Sequence, residues 1–286
     1  MNGHIKNYRH VLVQNKLALA GLFVLIIFLL IAIFADFIAP FDPLKTSAAT
    51  FHSPSAKFLF GTDDLGRDIF SGVVHGARTS ILIGVIVTIL STIIGVSVGA
   101  VAGYAGGFWD DFLMRVTELF LVPPRFFLAL VIVALFGSTF FYLIIILSLT
   151  YWTTMARIVR AEVLSLKERD FVEASRALGA SHRRILFHEI LPNAFPIIIT
   201  KMMLMVGRVI ILQAGLEFIG IGDTTRINWG YMLYNGQQFI RDGWWMIIFP
   251  TIALALLVIS LNIVGDWLNV LLNPQARSAQ LNKMEI

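Results

Sequence analysis

The chain runs to 286 residues, of which 57% are hydrophobic and 14% charged, with a mean hydropathy of +0.80. Soluble domains carry roughly 25% charged residues, so a water-soluble fold, which could not hide this much apolar surface, is excluded. The net charge of +4 is spread along loops instead of forming a stripe or tail, which argues against nucleic acid, and with no cysteine there can be no disulfide, thiol catalysis or cysteine-ligated metal.

An apolar run of about 18 residues is enough to cross a hydrocarbon core of roughly 30 Å as a helix. Six such runs predict an all-α, polytopic membrane protein with six transmembrane helices, at 17–35, 79–103, 112–136, 138–156, 196–219 and 244–268. The first run, Leu17 to Phe34, follows Lys6, Arg9 and Lys16 in the manner of a secretion signal, but it is long for one and further spans follow it. It reads as a retained helix behind a cytoplasmic segment, 1–16.

Basic residues set the expected orientation. Segment 157–192 carries Arg157, Arg160, Lys167, Arg169, Arg176, Arg183 and Arg184, seven in 36 positions, and reads as cytoplasmic. Segment 36–78 has only Lys45, Lys57, Arg67 and Arg78, and segment 220–243 only Arg226 and Arg241, so both are expected outside. The connection from Gly103 to Asp111 has no basic residue and is placed inside only by its neighbours and Arg115. Both termini then face the cytoplasm.

Gly84, Ser91, Gly95, Ser97, Gly99, Ala100, Ala102 and Gly103 line the second span or follow it directly. Helices in lipid associate largely through close approach at small residues, so this span is expected to be tightly packed. Pro123 and Pro124 predict a kink or a helix start within the third.

Between spans four and five, Phe171, Ala174 and Leu178 recur at helical spacing as one apolar stripe. Gly179 can end that helix, Ser181 can cap the next, and Pro192 is expected to stop or redirect it. The residues alone leave two readings equally open, an amphipathic linker resting on headgroups or a docking element for another protein.

Glu173-Ala-Ser-x-x-x-Gly179, with Leu191-Pro192 twelve residues on, resembles the cytoplasmic loop of binding-protein-dependent ABC import permeases. Gly61-Thr-Asp-Asp-Leu-Gly-Arg-Asp68, Gly76-Ala-Arg-Thr-Ser80, Phe218-Ile-Gly-Ile-Gly222, Trp229-Gly230 and Gly265-Asp266 are similar to the dipeptide, oligopeptide and nickel branch, specifically its second permease. The resemblance spans residues 10 to 277 and implies a type I ABC importer permease fold: a permease domain at 79–272, with a cytoplasmic coupling segment 157–192 and a tail at 273–286. It implies that Phe171, Glu173, Ala174, Ser175, Ala177, Leu178 and Gly179 dock on an ATPase. It implies as partners a homologous permease subunit, two ABC ATPase subunits and an extracytoplasmic solute-binding protein, besides membrane lipid. No cofactor is expected on this chain, with ATP and Mg held by the ATPases.

Departures from that pattern fall in span five, where Lys201, Arg208, Gln213 and Glu217 are unusual for the branch. Intramembrane charge usually faces a cavity or a partner. At about 100° per residue, Lys201 and Arg208 share a face and Glu217 points opposite Arg208. In one reading Lys201 snorkels, Glu217 reaches the outer interface and Arg208 bonds a neighbouring subunit. In the other, Arg208, Gln213 and Glu217 line a pathway for a charged or zwitterionic solute. Ser175 for an alanine, Glu189 for a frequent histidine, Asn273-Pro274 for Asp-Pro and a loop at 223–228 without its usual prolines leave the class intact but weaken inferences about substrate.

No G-x-x-x-x-G-K-[ST] loop occurs, so energy must come from another subunit, and the chain is not expected to be an enzyme. His188-Glu189 begins like a zinc-protease box but lacks its second histidine, and the six histidines have no ligand spacing. The expected function is import of dipeptides or oligopeptides across the cytoplasmic membrane, with nickel or a metal chelate as the substrate alternative. A secondary transporter or channel is the alternative class, and it would call for inverted repeats that the sequence does not display. A membrane-embedded enzyme ranks third.

Overall fold

The computed structural model describes residues 16–223 and 225–272, so residues 1–15 of the N-terminal segment and the tail at 273–286, with Asn273-Pro274, lie outside the described residues. Ten helices follow in order among these residues: α1 (Lys16–Ile33), α2 (Ala35–Ile38), α3 (Ile69–Ala105), α4 (Gly107–Leu121), α5 (Arg125–Phe136), α6 (Phe140–Lys167), α7 (Asp170–Ala177), α8 (His182–Phe218), α9 (Trp229–Gln238) and α10 (Trp245–Leu272). The described residues contain no strand, only an isolated bridge between Thr62 and Asp68.

Five helices, α1, α3, α6, α8 and α10, are long and apolar enough to cross a membrane. The pair α4 and α5, bent by 83°, is a sixth candidate if the two count as one span, and the break falls at the expected prolines 123 and 124.

Helix ends depart from the hydropathy reading where a helix continues beyond its oily stretch. α3 starts at Ile69 instead of 79, because Asp68 Oδ2 accepts from the Ser71 N–H at 2.7 Å and hydroxyl at 2.6 Å and so caps the first turn. α6 runs on to Lys167. Pro192 does not stop α8. A π-helical turn over Ile185–Ile190 precedes it, the Leu191 N–H reaches back to Leu186, and the helix passes through Pro192 and Pro196 to Phe218. Such wider turns absorb local mismatches in helical pairing.

The chain divides into two compact units. One holds the described residues up to Ile86 with Leu130–Ile144 and those of Val206–Val264. In it, loop 39–68 is a built structure. Thr62 accepts from the His52 N–H through its hydroxyl, Asp63 pairs with Arg67 at 2.5 Å, and the Trp245 indole donates to the Thr62 carbonyl at 2.9 Å. The Arg78 guanidinium holds Asp36 through two bonds and the Ala32 and Ile33 carbonyls through two more, securing the end of α1.

The other unit holds Val87–Ala129, Ile145–Met205 and the described residues from Gly265. Here α3 packs on α6 through Gly95, Gly99 and Gly103, one per turn. A Cβ at Gly95 would lie 2.6 Å from the Met155 Cβ, one at Gly99 would strike the Ala156 carbonyl, and one at Gly103 would lie 2.9 Å from the Arg160 carbonyl. This backbone-to-backbone approach is the close packing expected of small residues in lipid.

Candidate functional site

The motif stretch between α6 and α8 forms α7 and a turn. α7 ends in a Schellman motif: Gly179 takes φ +78, its N–H donates to the Arg176 carbonyl at 3.0 Å, and the Ala180 N–H donates to Ser175 at 3.1 Å. Ser181 then caps α8 by accepting from the Arg184 N–H. Only Val172 of α7 is fully buried. Phe171, Glu173, Ala174, Ala177, Leu178 and Gly179 are exposed and Ser175 is half-buried, so the stripe of Phe171, Ala174 and Leu178 faces away from the rest of this chain.

Tyr104, at the end of α3, fastens both ends of this stretch. Its carbonyl accepts from the Lys167 ammonium at 2.9 Å, and its hydroxyl lies 2.9 Å from Nδ1 of His182. The Lys167 ammonium also lies 5.6 Å from the centre of the Tyr104 ring. α7 is therefore a short helix presented on two anchored stems. Nothing in the sequence marks Tyr104 as the anchor, because its partners lie 63 and 78 positions away.

The residues singled out in span five separate. Gln213 and Glu217 are almost fully buried, and the Gln213 amide donates to Glu217 Oε2 at 3.2 Å. Arg208 is exposed, and Lys201 is half-buried. Glu217 reaches neither open solvent nor Arg208. Its second oxygen accepts from the Asn228 amide at 3.0 Å, while Asn228 Oδ1 accepts from the Tyr231 N–H at 2.9 Å and caps α9. A Cβ at Gly230 would lie 2.6 Å from Glu217 Oε2, and one at Gly222 would strike the Glu217 side chain. Gly222 and Gly230, one from each of two motif boxes, thus leave the room in which this carboxyl sits against α9.

The sequence reading missed α9 and Asn228, although an Asn followed by Trp-Gly is a legible start signal. Asp223 was missed too. Burial pushes its carboxyl up, but bonds from the Thr225 hydroxyl and N–H and from the Phe140 N–H outweigh this and leave its pKa below the usual range. Through the Phe140 contact it caps α6. Among the described residues no three His, Cys, Asp or Glu side chains gather as a metal site.

Residues 95–278 match the family of the binding-protein-dependent transport system inner membrane component. The chain belongs to that family. Residues 6–54 of this permease also match the N-terminal TM domain of oligopeptide transport permease C. The permease is 39% identical over 281 residues to the dipeptide transport system permease protein DppC of Escherichia coli (strain K12), covering 96% of this chain and 94% of the relative. It is 37% identical to DppC of Alkalihalophilus pseudofirmus, over 93% and 88% of the two chains, and 37% identical to the oligopeptide transport system permease protein OppC of Bacillus subtilis (strain 168), over 92% and 87%. Among solved structures it matches an inward-facing form of the MetNI methionine ABC transporter with TM-score 0.55, covering 68% of this chain and 93% of that one. At 18% identity this likeness speaks for the fold, that of a type I ABC importer permease.

Proposed function

We propose that this permease is the second membrane subunit of an ABC importer for dipeptides or oligopeptides, pairing with a homologous permease, two ATPase subunits and an extracytoplasmic solute-binding protein. The peptide reading rests on its relatives, whose names are those of dipeptide, oligopeptide and di/tripeptide permeases over almost the whole chain. Those names do not favour the nickel or metal-chelate alternative. In this reading the chain carries no catalytic group of its own, ATP and Mg sit on the ATPases, segment 157–192 faces the cytoplasm with both termini, and segment 36–78 faces outward.

The observation that carries the coupling role is the exposed stripe Phe171, Ala174 and Leu178 on a stretch whose two flanking stems, at Lys167 and His182, are tied to Tyr104. A rigidly mounted apolar stripe can pass a push from an ATPase into α3, α6 and α8, which a loosely tethered linker cannot. Glu173, Ser175, Ala177 and the bare surface of Gly179 complete the proposed docking face. Arg208, exposed on α8, is the proposed pathway residue, with the buried Gln213 and Glu217 shaping the wall behind it.

Reconstitution of the chain with its partners tests this reading. ATP-dependent uptake of a labelled dipeptide is expected, and removal of residues 168–180 is expected to abolish co-purification of the ATPase. Arg208→Gln is expected to lower uptake while ATPase stimulation persists. Peptide movement without nucleotide, or an ATPase retained after the deletion, would contradict the assignment.

A further inference from the structure

A second polar feature belongs to none of this machinery. Between α4 and α6 lies a cleft of about 610 Å³, within the size range of small-ligand sites. It is lined by Asp111, Arg115 and Glu118 from α4 and by Arg157 and Arg160 from α6. Arg160 is already engaged, holding Asp110 through two bonds of 2.5 and 2.6 Å. That fork fixes α4 against α6 and gives the cleft its walls.

The remaining charges are two guanidinium groups and two carboxylates, all exposed. Among the described residues Arg115 and Arg157 form no ion pair, even though Asp111 and Glu118 line the same cleft. Unpaired groups of both signs in one concavity suit a ligand with both an anionic and a cationic end. Guanidinium forks match phosphate oxygens in particular, and carboxylates accept from an ammonium.

The neighbouring face of α4 identifies the source. At about 100° per residue, Phe108, Phe112 and Leu119 of α4, with Val122 at its C-terminal cap, form a stripe adjoining the cleft face. They are 74%, 48%, 71% and 81% exposed, and Trp109 is 55% exposed. A soluble zwitterion would make no use of this stripe. A phospholipid would lay its acyl chains along it, and aromatic side chains favour the headgroup level. Basic pockets between membrane helices are known headgroup sites.

We propose that this cleft binds the headgroup of an ethanolamine phospholipid, with its phosphate on Arg115 and Arg157 and its ammonium on Asp111 and Glu118.

The test is native mass spectrometry of the full chain in detergent, offered ethanolamine, choline and glycerol phospholipids with identical acyl chains. The ethanolamine lipid should be retained preferentially. Arg115→Gln with Arg157→Gln should reduce its retention roughly tenfold, and the two lysine substitutions should restore part of it. Asp111→Asn with Glu118→Gln should leave lipid bound but erase the preference over choline, whose ammonium has no N–H to donate. Circular dichroism melting checks that each variant is folded. Equal retention of the three lipids by the wild type, or retention unchanged in the folded arginine variant, would overturn the proposal. Displacement of the lipid by an equimolar amount of soluble phosphoethanolamine or of a dipeptide would also overturn it, because the site would then serve a soluble ligand.

Discussion

The hydroxyl of Tyr104 and Nδ1 of His182 meet at 2.9 Å, and the backbone carbonyl of the same tyrosine holds Lys167. The two stems of α7 therefore converge on one residue at the end of α3. Tyr104→Phe removes only the hydroxyl contact, a loss of about 0.5–1.5 kcal/mol for an ordinary hydrogen bond. The fold should survive and coupling should suffer: in reconstituted vesicles, ATP hydrolysed per peptide imported should rise while thermal stability falls slightly. An unchanged ratio would mean that the His182 stem is not needed for transmission.

Asn228 does two jobs, donating to Glu217 and capping α9. Asn228→Ala should forfeit the cap, worth about 0.5–2 kcal/mol, and withdraw one of two donors from a buried carboxyl, about 1–3 kcal/mol more. Asn228→Ser retains a cap acceptor and should fall between the two. Thermal melts of the detergent-purified chain separate these cases, and an alanine variant as stable as the wild type would show that the network is ornamental.

Acid should act on two carboxyls of the first unit, Asp64 and Asp223, in opposite senses. Asp64 has its carboxyl raised, first by burial and then by the charge of Asp63, and its Oδ1 is shielded without a partner. It therefore opposes folding when charged, and stability should rise as pH falls from above its folded pKa toward the ordinary value near 3.8. Asp64→Asn should remove this dependence and give a slightly higher melting temperature at pH 7. Asp223, with its carboxyl lowered, contributes stability that is present above the ordinary value and lost as pH falls through the folded one. Asp223→Asn should therefore be destabilising at pH 7 and indistinguishable from wild type under strong acid. Melts across pH 3 to 7 check both signs.

The small residues of the second span carry a prediction about packing. At Gly99 an added Cβ would strike the Ala156 carbonyl, and backbone cannot yield as a flexible side chain can. Gly99→Ala should cost about 1–3 kcal/mol by overpacking and lower the yield of folded protein, while Gly106→Ala, with open space around it but a φ of +68, should do less. Equal yields of the two variants would contradict the close crossing of α3 and α6.

What the sequence made legible follows from the range of the interactions involved. Span number, the break at Pro123 and Pro124 and the Gly179 stop depend on composition or on neighbours a few positions apart, so they could be read directly. Pro192 misled because a π turn over Ile185–Ile190 precedes it and the helix continues through it to Phe218. Tyr104 was invisible as an anchor, and the amide held by Glu217 was not foreseen, because their partners Lys167, His182 and Asn228 are brought near only by folding. Glu217 looked exceptional as a charge in an apolar run. In the structure it is a buried acceptor served by two side-chain amides.

Docking of the exposed α7 stripe on an ATPase is best measured directly, as the affinity between detergent-purified permease and its ATPase by surface capture, comparing wild type with Leu178→Asp and Phe171→Ala. Leu178 is 89% exposed, so the aspartate should leave the permease folded. Yet it should weaken ATPase binding at least tenfold, the equivalent of about 1.4 kcal/mol, and abolish ATP-driven uptake. A Leu178→Asp permease that binds its ATPase and imports peptide like the wild type would contradict the account.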